Sequence, residues 1–256
     1  MSSVAGQLRP VQHPGSQEWQ ARIELAAAFR WTARLGWHEA VANHFSFALS
    51  ADGRHFLMNP RWRHFSRIRA SDLLLLDADD DSIMHTDDAP DTTAWCIHGR
   101  IHRALPRARC ILHLHTPYAT AVATLADPEI KPIDQTTARY FNRVAYDMDY
   151  GGIADSTAEG DRLAAALGNQ STMMMGQHGI LVVGETVADA FDRLYYLERA
   201  CKTLVLAYST GQPLNVMSHD LAEATARAWD SDTRQPLAHF AELKRGLDAT
   251  DPSYAT

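Results

Sequence analysis

The nine residues Cys110-Ile-Leu-His-Leu-His-Thr-Pro-Tyr118 constrain this chain more than any other stretch. Apolar side chains alternate with histidine until Thr-Pro, the pattern of a short buried strand that stops where a helix begins. On a strand, residues two apart point to one face about 7 Å apart, so His113 and His115 can turn both imidazoles to one ion. A second apolar stretch, Met173 to Gly184, is interrupted by Gly176-Gln177-His178-Gly179. Two apolar runs joined by a tight glycine turn predict a hairpin with His178 at its tip. His113, His115 and His178 are therefore the candidate metal ligands. Three neutral imidazoles with open positions describe a catalytic site rather than a closed structural one.

The rest of the chain alternates between two periodicities. Residues 1–15 hold two prolines and no pattern and read as a loose arm. Ser16 is placed to cap a helix from Gln17 to Leu35, with Trp19, Ile23, Ala26, Ala27, Phe29 and Trp31 as its apolar positions and Gly36 as its end. The second half of Trp37–Leu49 alternates like a strand, and Asp52-Gly53 turns it into a second strand, His55–Met58. Leu73–Leu76 reads as a further buried strand, and Thr92–Leu105 as a helix with His98 and His102 one turn apart. Pro117 opens a short helix, Arg143–Tyr146 is strand-like, and Ser156 with Glu159 predicts a capping box on a helix to Leu167. A stripe at Ala190, Phe191, Leu194, Leu197 and Cys201 marks a long helix from Val187 to Tyr208, and one amphipathic helix is expected from about Asp220 to Leu247. The pattern implies an α/β fold, a three-layer αβα sandwich around a mixed, largely antiparallel sheet. Residues 16–256 are expected to form one domain, with 218–256 as a helical extension.

Composition removes several function classes. The formal charge of −7 and the lack of a long Lys/Arg run argue against nucleic acid. No run of 18 apolar residues and no signal-like amino-terminal core appears, so neither a membrane span nor secretion is expected. Cys96, Cys110 and Cys201 lack zinc-type spacing and sit in apolar patterns, which fits reduced core thiols and the cytoplasm. His98 and His102 have metalloprotease spacing, but Gly99 stands where such an enzyme needs glutamate, which excludes that class.

The order His-x-His-Thr-Pro-Tyr, then about 60 residues on Gly-x-His-Gly, then a long helix, resembles the class II aldolase and adducin head family over roughly Glu18 to Tyr208. The resemblance implies a small-molecule substrate, one divalent metal ion on His113, His115 and His178, and a homotetramer with each site at a subunit boundary. Zinc suits three imidazoles, with Fe(II) or Mn(II) as alternatives. It also implies substrate contacts at Asn43, Asn59, Thr92 and Thr93, while the basic, aromatic loop around Trp62 offers Arg61 or Arg63 to a carboxylate.

Two departures from the family pattern matter. The family's phosphate-binding Gly-Asn reads Ala42-Asn43 here, which points to an unphosphorylated substrate. Where the aldolases carry Ser-Ser-Glu, with the glutamate as acid/base, this chain has Thr92-Thr93-Ala94, so the sequence leans to the adducin-like branch. Proton transfer then falls to another group, with Tyr118, His98 and Tyr140 as candidates and Tyr146 and Tyr150 as further tyrosines near the same segment. Three functions follow: a metal-dependent lyase of aldolase or decarboxylase type, a mononuclear non-haem Fe(II) oxygenase on the same fold, or an adducin-like binding module without turnover.

Overall fold

The computed structural model describes residues 16–149 and 156–256; the expected arm at 1–15 and the Tyr150-Gly151-Gly152 turn lie outside them. Among the described residues, seven strands are β1 (His44–Ala48), β2 (His55–Met58), β3 (Leu74–Asp77), β4 (Cys110–Leu114), β5 (Ala145–Asp147), β6 (Thr172–Met175) and β7 (Gly179–Gly184). They form one sheet in the order β3-β2-β1-β4-β7-β6-β5. Every pairing is antiparallel except the parallel one between β5 and β6. The α-helices among the described residues are α1 (Gln17–Arg34), α2 (Thr92–Ala104), α3 (Pro117–Ala123), α4 (Gln135–Ala138), α5 (Thr157–Leu167), α6 (Val187–Ser209), α7 (His219–Ser231) and α8 (Gln235–Thr250). None of the described helices is long and apolar enough to cross a membrane.

The period-two rule divides each central strand between two layers. Cys110, Leu112 and Leu114 of β4 join Leu25 and Phe29 of α1, Val122 of α3 and Phe191, Leu194 and Leu197 of α6 in the larger core. Ile111 points the other way, against Ile97 and Ile101 of α2 and Leu163 and Leu167 of α5. Each of these apolar side chains contributes roughly 1.5–3 kcal/mol by leaving water. His113 shares the Ile111 face by the same alternation, so the hydrophobic pattern of β4 aims it under α2. The three cysteines are buried, as expected of core thiols.

Local chemistry sets the ends of these elements, with two differences from the sequence expectation. Ser16 caps α1 by accepting from the Trp19 amide at 3.1 Å, and Gly36 follows at φ +68°, a conformation suited to glycine. The capping box expected on α5 does not form, since the Ser156 side chain makes no cap bond. Glu159 is drawn instead into a fork with Arg162, whose guanidinium also grips Asp147 at 2.7 and 2.8 Å; charge-assisted bonds outcompete a neutral cap. The single helix expected over 220–247 is two, α7 and α8. Asp232 accepts from the amides of Arg234 and Gln235 at 3.1 Å, and Pro236 in the first turn of α8 has no amide to continue α7.

Candidate functional site

β4, the β6–β7 turn and the loop before β1 meet at one end of the sheet. β4 ends at Leu114, so His113 is its last-but-one residue and His115 lies just past it, not on the strand. Gln177 takes φ +56° in the β6–β7 turn and brings His178 back over β4. Gly179 is what allows this approach. A Cβ there would meet the Leu114 carbonyl oxygen at 2.5 Å and His115 Cδ2 at 2.6 Å. One nitrogen from each of His113, His115 and His178 lies within 4.8 Å of the others.

The hydrogen bonds behind the rings decide which nitrogens face inward. His113 Nδ1 donates to the Ile180 carbonyl at 2.9 Å, and His115 Nδ1 donates to the Glu39 carboxylate. Each ring therefore turns a lone pair on Nε2 to the centre, the arrangement that orients and strengthens histidine ligands. The two Nε2 atoms stand 3.2 Å apart. Tetrahedral ligands on bonds of about 2.0–2.1 Å stand roughly 3.3 Å apart, so the spacing fits a small cation between them. Burial, reinforced by neighbouring imidazoles, holds His113 well below the ordinary 6.5 and His178 down to about 4. Both rings are thus neutral, the form that coordinates a metal. The residues present fit the divalent ion that their pattern implies.

The ligand loop has a support that the sequence did not disclose. Glu198, 3% exposed on α6, accepts from Thr116 Oγ1 at 2.6 Å and from the amides of Tyr118 and Ala119 at 2.9 and 2.8 Å. It caps α3 from a different helix and so fixes the chain immediately after His115. Thr116, the residue at the cap position, makes no such bond itself.

The three imidazoles border a cavity of about 170 Å³, room for a small organic molecule. Among the other expected substrate residues, Asn43, Asn59, Arg61 and Thr93 line it, and Thr92 does not. Asn43 adopts φ +73°, held by its Oδ1 accepting from the Glu39 amide at 2.9 Å, while its Nδ2 is buried without a partner among the described residues. Arg61 stacks on Trp62 with 4.3 Å from guanidinium to ring centre, and its Nε is likewise buried and unpaired among them. Trp62, 71% exposed, stands at the rim.

The expected acid/base candidates are not at the cavity surface. Tyr140 is buried elsewhere with its hydroxyl donated to the Arg193 carbonyl at 2.6 Å, and burial pushes its phenol up beyond reach of neutral-pH chemistry. Tyr118 packs against the large core with the Lys202 ammonium 5.3 Å from its ring centre. Their proximity in sequence to the ligands misleads because α3 and α4 carry them to the opposite layer. Tyr146 is spent on the Ile130 amide at 3.0 Å. His98 is fully buried one step behind the cavity, bonded to His44 at 2.8 Å. Ala94, on α2, is buried in an apolar cluster with Ala48, Phe56, Met58 and Leu76 of the sheet, with no carboxylate in its place.

Two polar cavity residues were missed, His44 and Asp91. His44 pairs directly with His113 across β1 and β4, and their rings stack at 4.8 Å. The alternation His44-Phe45-Ser46-Phe47 carried the signal, since it places His44 and Ser46 opposite the core phenylalanines. Asp91 caps α2, with its Oδ1 accepting from the amides of Thr93 and Ala94 at 2.9 and 3.2 Å.

Residues 23–205 match the family described as Class II Aldolase and Adducin N-terminal domain. A crystal structure of an aldolase II superfamily protein from Pseudomonas syringae is similar at a TM-score of 0.87 and 32% identity, covering 98% of this chain and 100% of that one. A Caulobacter vibrioides protein, provisionally named as a class 2 aldolase, is 33% identical over 93% of both chains. Decarboxylase NovR of Streptomyces niveus is 30% identical over 92% of this chain and 86% of its own.

Proposed function

The chain belongs to the class II aldolase and adducin N-terminal domain family, and from that premise we propose that it is a divalent-metal-dependent lyase acting on a small, unphosphorylated carbonyl or carboxylate compound. The observation that carries this reading is the convergence of three imidazoles on one point in the wall of a cavity. A divalent ion held by His113, His115 and His178, zinc by the all-nitrogen donor set, would supply Lewis-acid polarisation of a substrate oxygen. The aldolase and decarboxylase names among the relatives favour carbon–carbon bond chemistry over oxygenation, and the intact trio with its Glu39 and Ile180 supports weighs against a binding module.

The chain's own residues would do the rest. Asn43 Nδ2 and the Arg61 guanidinium are the unspent donors of the cavity and would bind and orient a carboxylate. Trp62 would cover the apolar part of the substrate and exclude water from the mouth. Ala42, where a glycine amide could approach a phosphate, supports the unphosphorylated class. A homotetramer with each site at a subunit boundary belongs to this reading, and Val41 and Trp62, exposed apolar groups at the cavity, are the surface a neighbouring chain would cover.

The test is turnover of a panel of hydroxy- and keto-acids by protein reconstituted with zinc, manganese or iron(II), without oxygen. Release of a carbonyl fragment or carbon dioxide is expected, together with loss of both activity and metal in His113→Ala at unchanged helix content. Turnover only with iron and dioxygen would replace the lyase by an oxygenase. Full metal retention in His113→Ala would refute the ligand assignment.

A further inference from the structure

Behind the cavity wall runs a line of buried polar groups to which the proposed chemistry assigns no role. His44 Nδ1 lies 2.8 Å from His98 Nε2, and His98 Nδ1 lies 2.5 Å from Ser46 Oγ. Ser46 Oγ lies 2.7 Å from His102 Nε2, and His102 Nδ1 lies 2.7 Å from the Ala108 carbonyl oxygen. Ser46, His98 and His102 are at most 1% exposed, and burial keeps the His98 and His102 rings uncharged.

The far end settles the direction of every bond. A carbonyl oxygen only accepts, so His102 Nδ1 carries its ring's proton and His102 Nε2 is a lone pair. The Ser46 hydroxyl must donate to that lone pair, which uses its one proton. Ser46 Oγ then accepts from His98, whose proton is thereby placed on Nδ1 and whose Nε2 is left to accept from His44 Nδ1. His44 has only a lone pair remaining on Nε2. Its ring lines the cavity, that nitrogen has no partner among the described residues, and it is not one of the nitrogens that converge for an ion.

We infer that His44 is a specificity residue that accepts a hydrogen bond from a substrate hydroxyl at Nε2, with Ser46, His98 and His102 as positioning residues that hold the required tautomer. The opposite tautomer would present an N–H and select a carbonyl or carboxylate oxygen instead. The substrate class is thereby narrowed to an acid with a free hydroxyl, whose carboxylate fits Arg61 and Asn43 and whose hydroxyl fits His44. The hydroxyl assignment rests on the lyase reading for its choice of a small organic acid; the tautomer does not.

Two measurements test the inference. Ring proton–nitrogen correlation spectra of the metal-free full chain, labelled with heavy nitrogen in histidine, should show the proton on Nδ1 of His44, His98 and His102. A proton on His44 Nε2 overturns the inference before any ligand is added. The zinc-loaded protein is then titrated with glycolate and with acetate, the same acid with and without a hydroxyl. The preference for glycolate should fall about three- to tenfold in Ser46→Ala, the range of one net hydrogen bond, and return in Ser46→Thr, which keeps the hydroxyl. Equal preference in all three proteins overturns it, because any share owed to zinc itself is common to them. Failure of the lyase reading shows as absent turnover and leaves both readouts unaffected.

Discussion

Replacing Gly179 by alanine strains the site at its tightest point. The new methyl would stand 2.5 Å from the Leu114 carbonyl oxygen and 2.6 Å from His115 Cδ2, where ordinary contact begins near 3.4 Å. One group or the other must withdraw by roughly 0.9 Å, and the carbonyl is the stiffer, because Leu114 is locked into the β4–β7 ladder opposite Ile180. The His115 ring therefore moves, and its Nε2 is bonded directly to the displaced Cδ2. Metal sites tolerate about 0.2 Å in ligand distance, so a shift several times larger should weaken zinc by roughly ten- to a hundredfold. The same overpacking should cost about 1–3 kcal/mol of folding stability. Competition with a chromophoric zinc chelator measures the first and urea unfolding of the metal-free chain the second. Zinc affinity within twofold of the parent protein would refute the close-approach role of Gly179 and with it the ligand geometry.

Further perturbations have separate readouts. Glu39→Ala removes the acceptor that orients His115, and because the carboxylate is 60% exposed and water can partly replace it, zinc affinity should fall near the lower end of the usual range, about tenfold; unchanged affinity in the same chelator assay would count against the support. Glu198→Gln leaves one of three donors at the start of α3 facing an amide NH2, which should cost about 1–3 kcal/mol in urea unfolding, and a loss below the error of the measurement would show that α3 is capped otherwise. Acid should destabilise the metal-free protein. Burial lowers His102 from 6.5 to about 4 in the folded chain, so the unfolded chain takes up the proton first; the stability due to the neutral ring is whole above pH 6.5 and is withdrawn as pH falls to 4, by about 3 kcal/mol for this residue. A urea midpoint that does not move across that interval would refute the burial of a neutral ring.

Local patterning in the chain already contained the layers and the histidine cluster. The alternation in Cys110–Leu114, the glycine turn around His178 and the stripe of Val187–Ser209 each prescribe an element through neighbouring residues alone, and those elements bury only one way around a sheet. The trio was legible for the same reason, since two of its members are two residues apart and the third sits on a turn that Gly176 and Gly179 announce. What no local pattern could say is which distant group faces which. Arg162 takes Glu159 from its cap while gripping Asp147 on β5, a competing partner that the sequence around Ser156 does not contain. Tyr118 and Tyr140, close to the ligands along the chain, are turned to the other layer, while His44, distant by some 70 residues, is set against His113 by strand register. Only folding brought His44, Ser46, His98 and His102 into one line ending on a carbonyl, because hydrogen-bond direction depends on partners that a strand, a helix and the loop before β4 deliver to the same buried place.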